Sequence, residues 1–178
     1  MDLLWTSFLN SEWHDWRGGG QSEDRLEKPG WIEMFLAHWQ LPCPGEPADP
    51  GALKRLRTLI RRMAEEMSAG GTPTPEDLAA LNTVMAGGPV IRQVSSEYRL
   101  SLQPAGATWA QIEAEIAASL ATTLAEGEAA RVRICENPDC LWVFYDDTRN
   151  RTKRFCEDKT CGNLIKVRRF RAKQKRGS

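Results

Sequence analysis

Four of the five cysteines in this 178-residue chain lie in one short stretch, as two pairs of the same spacing: Cys135 and Cys140 in CENPDC, and Cys156 and Cys161 in CEDKTC. Four residues separate the members of each pair and fifteen separate the pairs. Two cysteine pairs joined by a short span are what a tetrahedral zinc ion requires: each pair curls two sulfurs toward one point, and the span returns the chain to it. Asn137, Pro138 and Asp139 are turn formers between the first two ligands. Thr160 reads as a helix N-cap, which places Cys161 in a first turn where the helix dipole favours a thiolate. Disulfides are the alternative use of cysteine, but they suit secreted proteins. The N-terminal MDLLWTSFLNSEWHDW carries an acid and no positive n-region, so no signal peptide is expected and the cytoplasm is. Buried free thiols are the bland reading of the quartet; its ligand count argues for zinc. Cys43, far away in LPCPGEP, reads as a loop thiol.

Four thiolates fill a zinc shell, whereas a catalytic zinc keeps an open position beside His or carboxylate ligands. No histidine follows Cys135. The expected cofactor is therefore one structural Zn²⁺ per chain, with a binding free energy on the order of 10 kcal/mol that folds a module too small to hold itself.

The net charge of zero hides a split. Residues 1–148 carry 12 basic and 22 acidic side chains, a net −10, and residues 149–178 carry 12 basic and 2 acidic, a net +10. Such a basic module is suited to a polyanion. The same charges would also let the tail pair with its own acidic domain. An apolar fraction of 41% is that of a globular core, and no run of eighteen apolar residues exists to span a membrane.

The periodicity predicts a mainly α fold, an N-terminal helical domain with one β-hairpin followed by a small treble-clef-like zinc finger, divided at 1–130 and 131–178. A helix is expected over 3–17 up to the Gly18-Gly19-Gly20 loop, then a second over WIEMFLAHWQ. Asp49-Pro50 opens a long helix to about Ala69, with Leu53, Leu56, Leu59/Ile60 and Met63 inward and Lys54, Arg55, Arg57, Arg61 and Arg62 on solvated sides. Thr74-Pro75 opens a shorter helix to about Met85. VIRQVSSEYRLSLQP alternates with period two and reads as a hairpin. Thr108 caps an alanine-rich helix to about Glu126, the expected centre of the bundle. His14 and His38 read as core or surface residues rather than ligands. Within the finger, Arg131–Ile134 is a short strand and LWVFY a second. The polar stretch Asp146–Lys153 is expected to turn that second strand back through Arg154-Phe155 to Cys156. Leu164, Val167 and Phe170 are expected to pack the last helix, to about Lys173, onto the finger.

The run DTRNRTKRFC, followed by TCGN and a basic helix, resembles the CGNR zinc-finger family of bacterial proteins. Leu164 stands where that family has the arginine, so any contact made there by an arginine is not carried over. The resemblance assigns the zinc ligands to Cys135, Cys140, Cys156 and Cys161. Upstream, a first helix with Asn10, a glycine-rich turn, the acid Asp24 and WIEMFLAHWQL are similar to the helical ABATE domain that precedes this finger. That family is described as stress-induced transcription regulators, which implies a DNA-binding finger joined to a sensory domain.

The nucleic-acid contacts expected are Arg149, Arg151, Lys153 and Arg154 on the loop, and Asn163, Lys166, Arg168, Arg169, Arg171 and Lys173 on the helix. Asn163 has two readings, a base contact or a structural cap. Duplex DNA is the expected partner. RNA is the alternative, with Trp142, Phe144 and Tyr145 as candidate stacking rings, and a protein-interaction module with a basic tail is a third reading. A small-molecule effector on the tryptophan-rich N-terminal part is a further expected partner. No phosphate loop, HExxH pattern or nucleophile elbow occurs, so no enzyme is expected.

Overall fold

A computed structural model describes residues 2–176; Met1 and the last two residues of the finger as bounded from the sequence, 177 and 178, lie outside the described residues. The first helix, α1 (Leu4–Leu9), is much shorter than the sequence spacing predicts. The reason is side-chain chemistry just past its end. Asn10 turns away to bond distant backbone, and the buried Ser11 hydroxyl accepts from Arg57 at 2.9 Å. The tryptophans beyond it then belong to an antiparallel hairpin, β1 (Glu12–His14) with β2 (Ser22–Asp24), in the register Glu12↔Asp24 and His14↔Ser22. Asp15 folds the connecting loop by accepting from the backbone of Arg17 and Gly19.

The remaining helices follow their caps. α2 spans Trp31–His38. α3 (Pro50–Ser68) begins where Asp49 accepts from Gly51 N at 2.8 Å. α4 (Pro75–Ala86) begins at Thr74, and α5 (Trp109–Ala125) at Thr108, each hydroxyl accepting from a backbone N–H in the first turn. β3 (Val90–Val94) and β4 (Leu100–Pro104) form the expected hairpin between α4 and α5. Leu53, Leu56, Ile60, Met63 and Met67 of α3 are buried together with Trp5, Phe8 and Leu9 of α1 and Ile112, Ile116 and Leu120 of α5. α5 packs on α1, α3 and α4, so the alanine-rich helix is central. Small side chains let neighbouring helices approach closely there. The Trp5 indole, fully buried, donates to Thr123 Oγ1 at 2.9 Å.

One member of the basic run on α3 departs from the solvated role read for it. Arg57 is buried and reaches across to β2, where its guanidinium grips both oxygens of Asp24 at 2.7 Å. That bidentate pair holds Asp24 well below the usual carboxylate range, at about 2; burial opposes the shift without cancelling it. The pair ties the β1–β2 hairpin to the central helices.

The finger is built on β5 (Val132–Ile134) and β6 (Val143–Tyr145), antiparallel to each other. Pairing of the LWVFY strand with Arg154-Phe155, expected from the sequence, does not form. Instead Arg154 O accepts from Glu136 N at 2.9 Å, beside the knuckle. The β5–β6 hairpin also enters the main core: Val132 and Val143 are fully buried there, and β5 lies against α3. Asn10 Nδ2 donates to Val143 O at 2.8 Å and Asn10 Oδ1 accepts from Val143 N at 3.0 Å, so one amide side chain pairs with β6 as a neighbouring strand would. The two parts of the chain therefore share a core.

Candidate metal centre

Val143 at the foot of β6 places the knuckle, and the knuckle places the first two sulfurs. Cys135 N donates to Trp142 O at 2.8 Å and Cys140 N to Asn137 O at 3.0 Å, with Leu141 in the left-handed region (φ 59°) to reverse the chain. The second pair comes from the other side. The chain turns helical at Asp158, two residues before the predicted cap Thr160, as one wide π turn over Asp158–Gly162, and α6 (Asn163–Arg176) follows without a break. Cys161 is thereby buried in the turn. Gly162 is buried too; a Cβ there would lie 3.2 Å from Asp158 and 3.4 Å from the Phe155 ring, so close packing favours glycine.

The four ligand sulfurs, of Cys135, Cys140, Cys156 and Cys161, all lie within 4.8 Å of one another. Cys140 Sγ is 3.7 Å from Cys156 Sγ, which is 3.9 Å from Cys161 Sγ. A tetrahedron with Zn–S bonds of about 2.3 Å has edges of about 3.8 Å, so the spacing fits zinc. The electrostatics agree. Taken as thiols alone, the quartet shares its first negative charge unevenly: S–H bonds from Cys140 and then Cys156 draw the Cys135 thiol down, and donating those bonds, with burial, pushes Cys140 and Cys156 up. Four anionic sulfurs so close together need a divalent cation. Asn137, fully buried, donates from one amide nitrogen to Cys161 Sγ at 3.3 Å and to Trp16 O at 2.8 Å, linking a ligand to the N-terminal hairpin.

Around the centre, Phe144, Phe155 and Ile165 form a small core with the cysteines. Ile165 is the residue of α6 that packs inward. Val167 and Phe170, expected there, face solvent, and Phe170 is 62% exposed. Helical spacing explains the difference: once Cys161 points at the metal, the inward face is one position past the predicted stripe. Asp146 is buried and organises the loop that follows β6, accepting from Thr148 N at 2.9 Å and Lys153 N at 3.0 Å. Burial would raise its carboxyl, but these bonds outweigh it and hold the group below its usual range.

The predicted nucleic-acid residues divide into two sets. Arg151 pairs with Glu128 at 2.5 Å, Arg154 binds Glu136 with Nε at 2.7 Å, and Arg168 pairs with Asp139 at 2.6 Å. Arg168 also donates to Arg17 O at 2.8 Å, which docks the glycine loop on the finger. Lys153 lies over the Phe144 ring at 5.2 Å. Asn163 donates to Lys159 O at 3.2 Å, a helix-internal bond. Arg149, Lys166, Arg169, Arg171 and Lys173 are exposed and have no ion pair among the described residues. Lys153, Arg154, Lys166 and Arg169 share the walls of a groove of about 510 Å³ between the loop and α6, together with Asp147 and Asp158. Of the candidate stacking rings, Phe144 is buried, while Trp142 and Tyr145 are half-buried.

The tryptophan-rich N-terminal part, where an effector is expected, does contribute to a second cavity of about 550 Å³, but the finger supplies part of its wall, which the sequence did not suggest. Trp13, Trp16, Trp31 and Trp142 line it, with His14, Arg25 and the sulfur-bearing Cys140, Cys156 and Cys161. Four of seven tryptophans in one wall was a compositional signal, but only folding brings them together.

Two family models match, side by side. Residues 131–174 match the CGNR zinc finger, and residues 2–127 match ABATE, described as "putative stress-induced transcription regulator". The second match alone covers more than half of the chain. The chain belongs to the ABATE family and carries a CGNR zinc finger. The cysteine quartet is the ligand set of that finger, with one structural zinc. No curated protein matches the chain. No described helix is long and apolar enough to cross a membrane.

Proposed function

We propose that this ABATE-family protein is a cytoplasmic, non-enzymatic transcription regulator that binds duplex DNA through the outer face of α6 and the adjoining groove, in response to stress. The observation that carries the reading is the set of five exposed cations, Arg149, Lys166, Arg169, Arg171 and Lys173, that the finger leaves without a carboxylate partner among the described residues. On α6 the helical spacing puts Lys166 and Lys173 beside the exposed Val167 and Phe170. Cations beside apolar side chains suit phosphates and thymine methyl groups in a major groove. Arg151, Arg154 and Arg168 are then braces of the finger rather than contacts. Zinc contributes no chemistry beyond shape: it fixes the loop and the helix on one scaffold.

The test is anisotropy of labelled duplex DNA across a salt series. Five neutralised phosphates predict that log K falls with log salt at a slope of about −4 to −5. Lys166→Ala with Arg171→Ala should flatten the slope by about 2. No affinity for any duplex at low salt refutes the reading. Phe170 offers a stacking ring for a single strand, so RNA at matched salt is the comparison arm. Self-pairing of the tail with the acidic part of the chain takes up Arg151, Arg154 and Arg168, on Glu128, Glu136 and Asp139, and leaves the five exposed cations outside those pairs among the described residues.

The sensory role falls to the tryptophan-walled cavity, which is of ligand size and touches both the N-terminal hairpin and the finger. An effector seated there would act on the docking of the two. A thermal-shift screen of small aromatic compounds reads this out. If none of them raises the melting temperature, the effector assignment to this cavity fails.

A further inference from the structure

The β3–β4 hairpin stands apart from both functional surfaces. Its register puts Val90, Arg92, Val94, Leu100 and Leu102 on one face, and Ile91, Gln93, Ser101 and Gln103 on the other. The first face is apolar and uncovered: Val94 and Leu100 are each 67% exposed, and Leu102 is 59% exposed. Tyr98, at the tip, is almost wholly in solvent. Among the eleven exposed large hydrophobic residues of the described chain, six are in this hairpin and four of them, Val90, Val94, Leu100 and Leu102, are on the one face, which makes that face a patch rather than scattered surface. Among the described residues, β3 and β4 pair only with each other. A lone two-stranded hairpin is marginal in water, and a third strand or an apolar cover is what normally stabilises one.

We propose that this face is the interface between two copies of the chain, packed hairpin on hairpin about a two-fold axis. Two arguments select a second copy as the occupant. The first is area: Val90, Val94, Leu100 and Leu102 expose roughly 400 Å² on this face and Tyr98 at the tip adds roughly 200 Å², which is at the small end of what each partner contributes to a specific interface. The second is charge. Arg92 is the one cation on the apolar face, and Glu97 lies in the turn at the tip. A two-fold axis over Val94 and Leu100 sets those residues against their own copies and brings Arg92 of each chain toward the turn holding Glu97 of the other. Self-complementarity of this kind is what an isologous interface demands. The dimer carries two basic fingers.

The test is sedimentation equilibrium of the full zinc-loaded chain. The wild type is expected at twice the 20.0 kDa chain mass in the micromolar range. Val94→Asp with Leu100→Asp should weaken dimerisation at least tenfold with an unchanged helical circular dichroism spectrum at room temperature, since neither side chain belongs to the core. Gln93→Asp, on the opposite face, should remain dimeric. Arg92→Glu should weaken the dimer, and adding Glu97→Arg should restore it. A wild type that stays monomeric up to 100 µM overturns the proposal, as does a dimer indifferent to the Val94 and Leu100 changes. Failure of the charge swap to rescue overturns the two-fold register. None of these readouts depends on nucleic-acid binding.

Discussion

Stripping zinc from the full chain with a strong chelator should lower the melting temperature of the helical bundle, although the metal lies outside it. The sulfurs hold the knuckle between β5 and β6, and those strands carry Val132 and Val143 into the bundle core. If loss of the metal frees the hairpin, two fully buried valines are exposed, worth roughly 3–4 kcal/mol at 1.5–2 kcal/mol each. The two Asn10 bonds to Val143 go with them, at about 1 kcal/mol each. The loss of about 5 kcal/mol is a large share of an ordinary domain stability of about 5–15 kcal/mol. For a chain of this size it corresponds to roughly 10–20 °C. The assay is far-ultraviolet circular dichroism at 222 nm, which reports helix, on matched zinc-loaded and chelated samples, with zinc re-addition as the reversibility control. An unchanged helical melt in chelator, with metal release confirmed by elemental analysis, would refute the shared-core argument and make the finger an independent appendage.

Arg57→Ala should cost about 2–3 kcal/mol in urea denaturation, because it leaves the buried Ser11 hydroxyl without its donor and Asp24 with only Lys54 and the Leu26 N–H. A smaller loss than 1 kcal/mol would show that the pair is not engaged. Asp24 has its pKa depressed in the folded state, so its contribution is present above the ordinary value near 3.8 and lost as pH falls through about 2. Asp24→Asn should remove that part of the acid sensitivity, on the order of 1–2 kcal/mol, read from stability measured between pH 5 and pH 2. Gly18→Ala should weaken docking of the glycine loop: φ is +85° there, and the added Cβ would lie 2.7 Å from Arg168 Nη2. The expected cost is about 1–2 kcal/mol; a fully neutral substitution would mean the loop does not rest on the finger.

Local chemistry is readable from local sequence. Asp49, Thr74 and Thr108 each announce a helix start that the structure bears out, because a cap needs only its own next few residues. The hairpin over 90–104 is likewise written in its alternation, and the cysteine spacing specifies a tetrahedral metal site, since ligand number and reach depend on few atoms. What needed the whole fold was every partner far along the chain. Arg57 looks like any cation on an amphipathic helix until Asp24 and Ser11 arrive beside it. Asn10 ends α1 early because backbone 133 residues away accepts and donates to its amide. Which basic residues of the finger are spent on Glu128, Glu136 and Asp139, and which remain exposed, is settled by distances in space that composition does not contain. The sequence by itself determined the helices after the first, the hairpin over 90–104 and the sulfur quartet; only tertiary structure ended the first helix early and joined the finger to the bundle, because those features are made of long-range burial and hydrogen bonds rather than of local propensity.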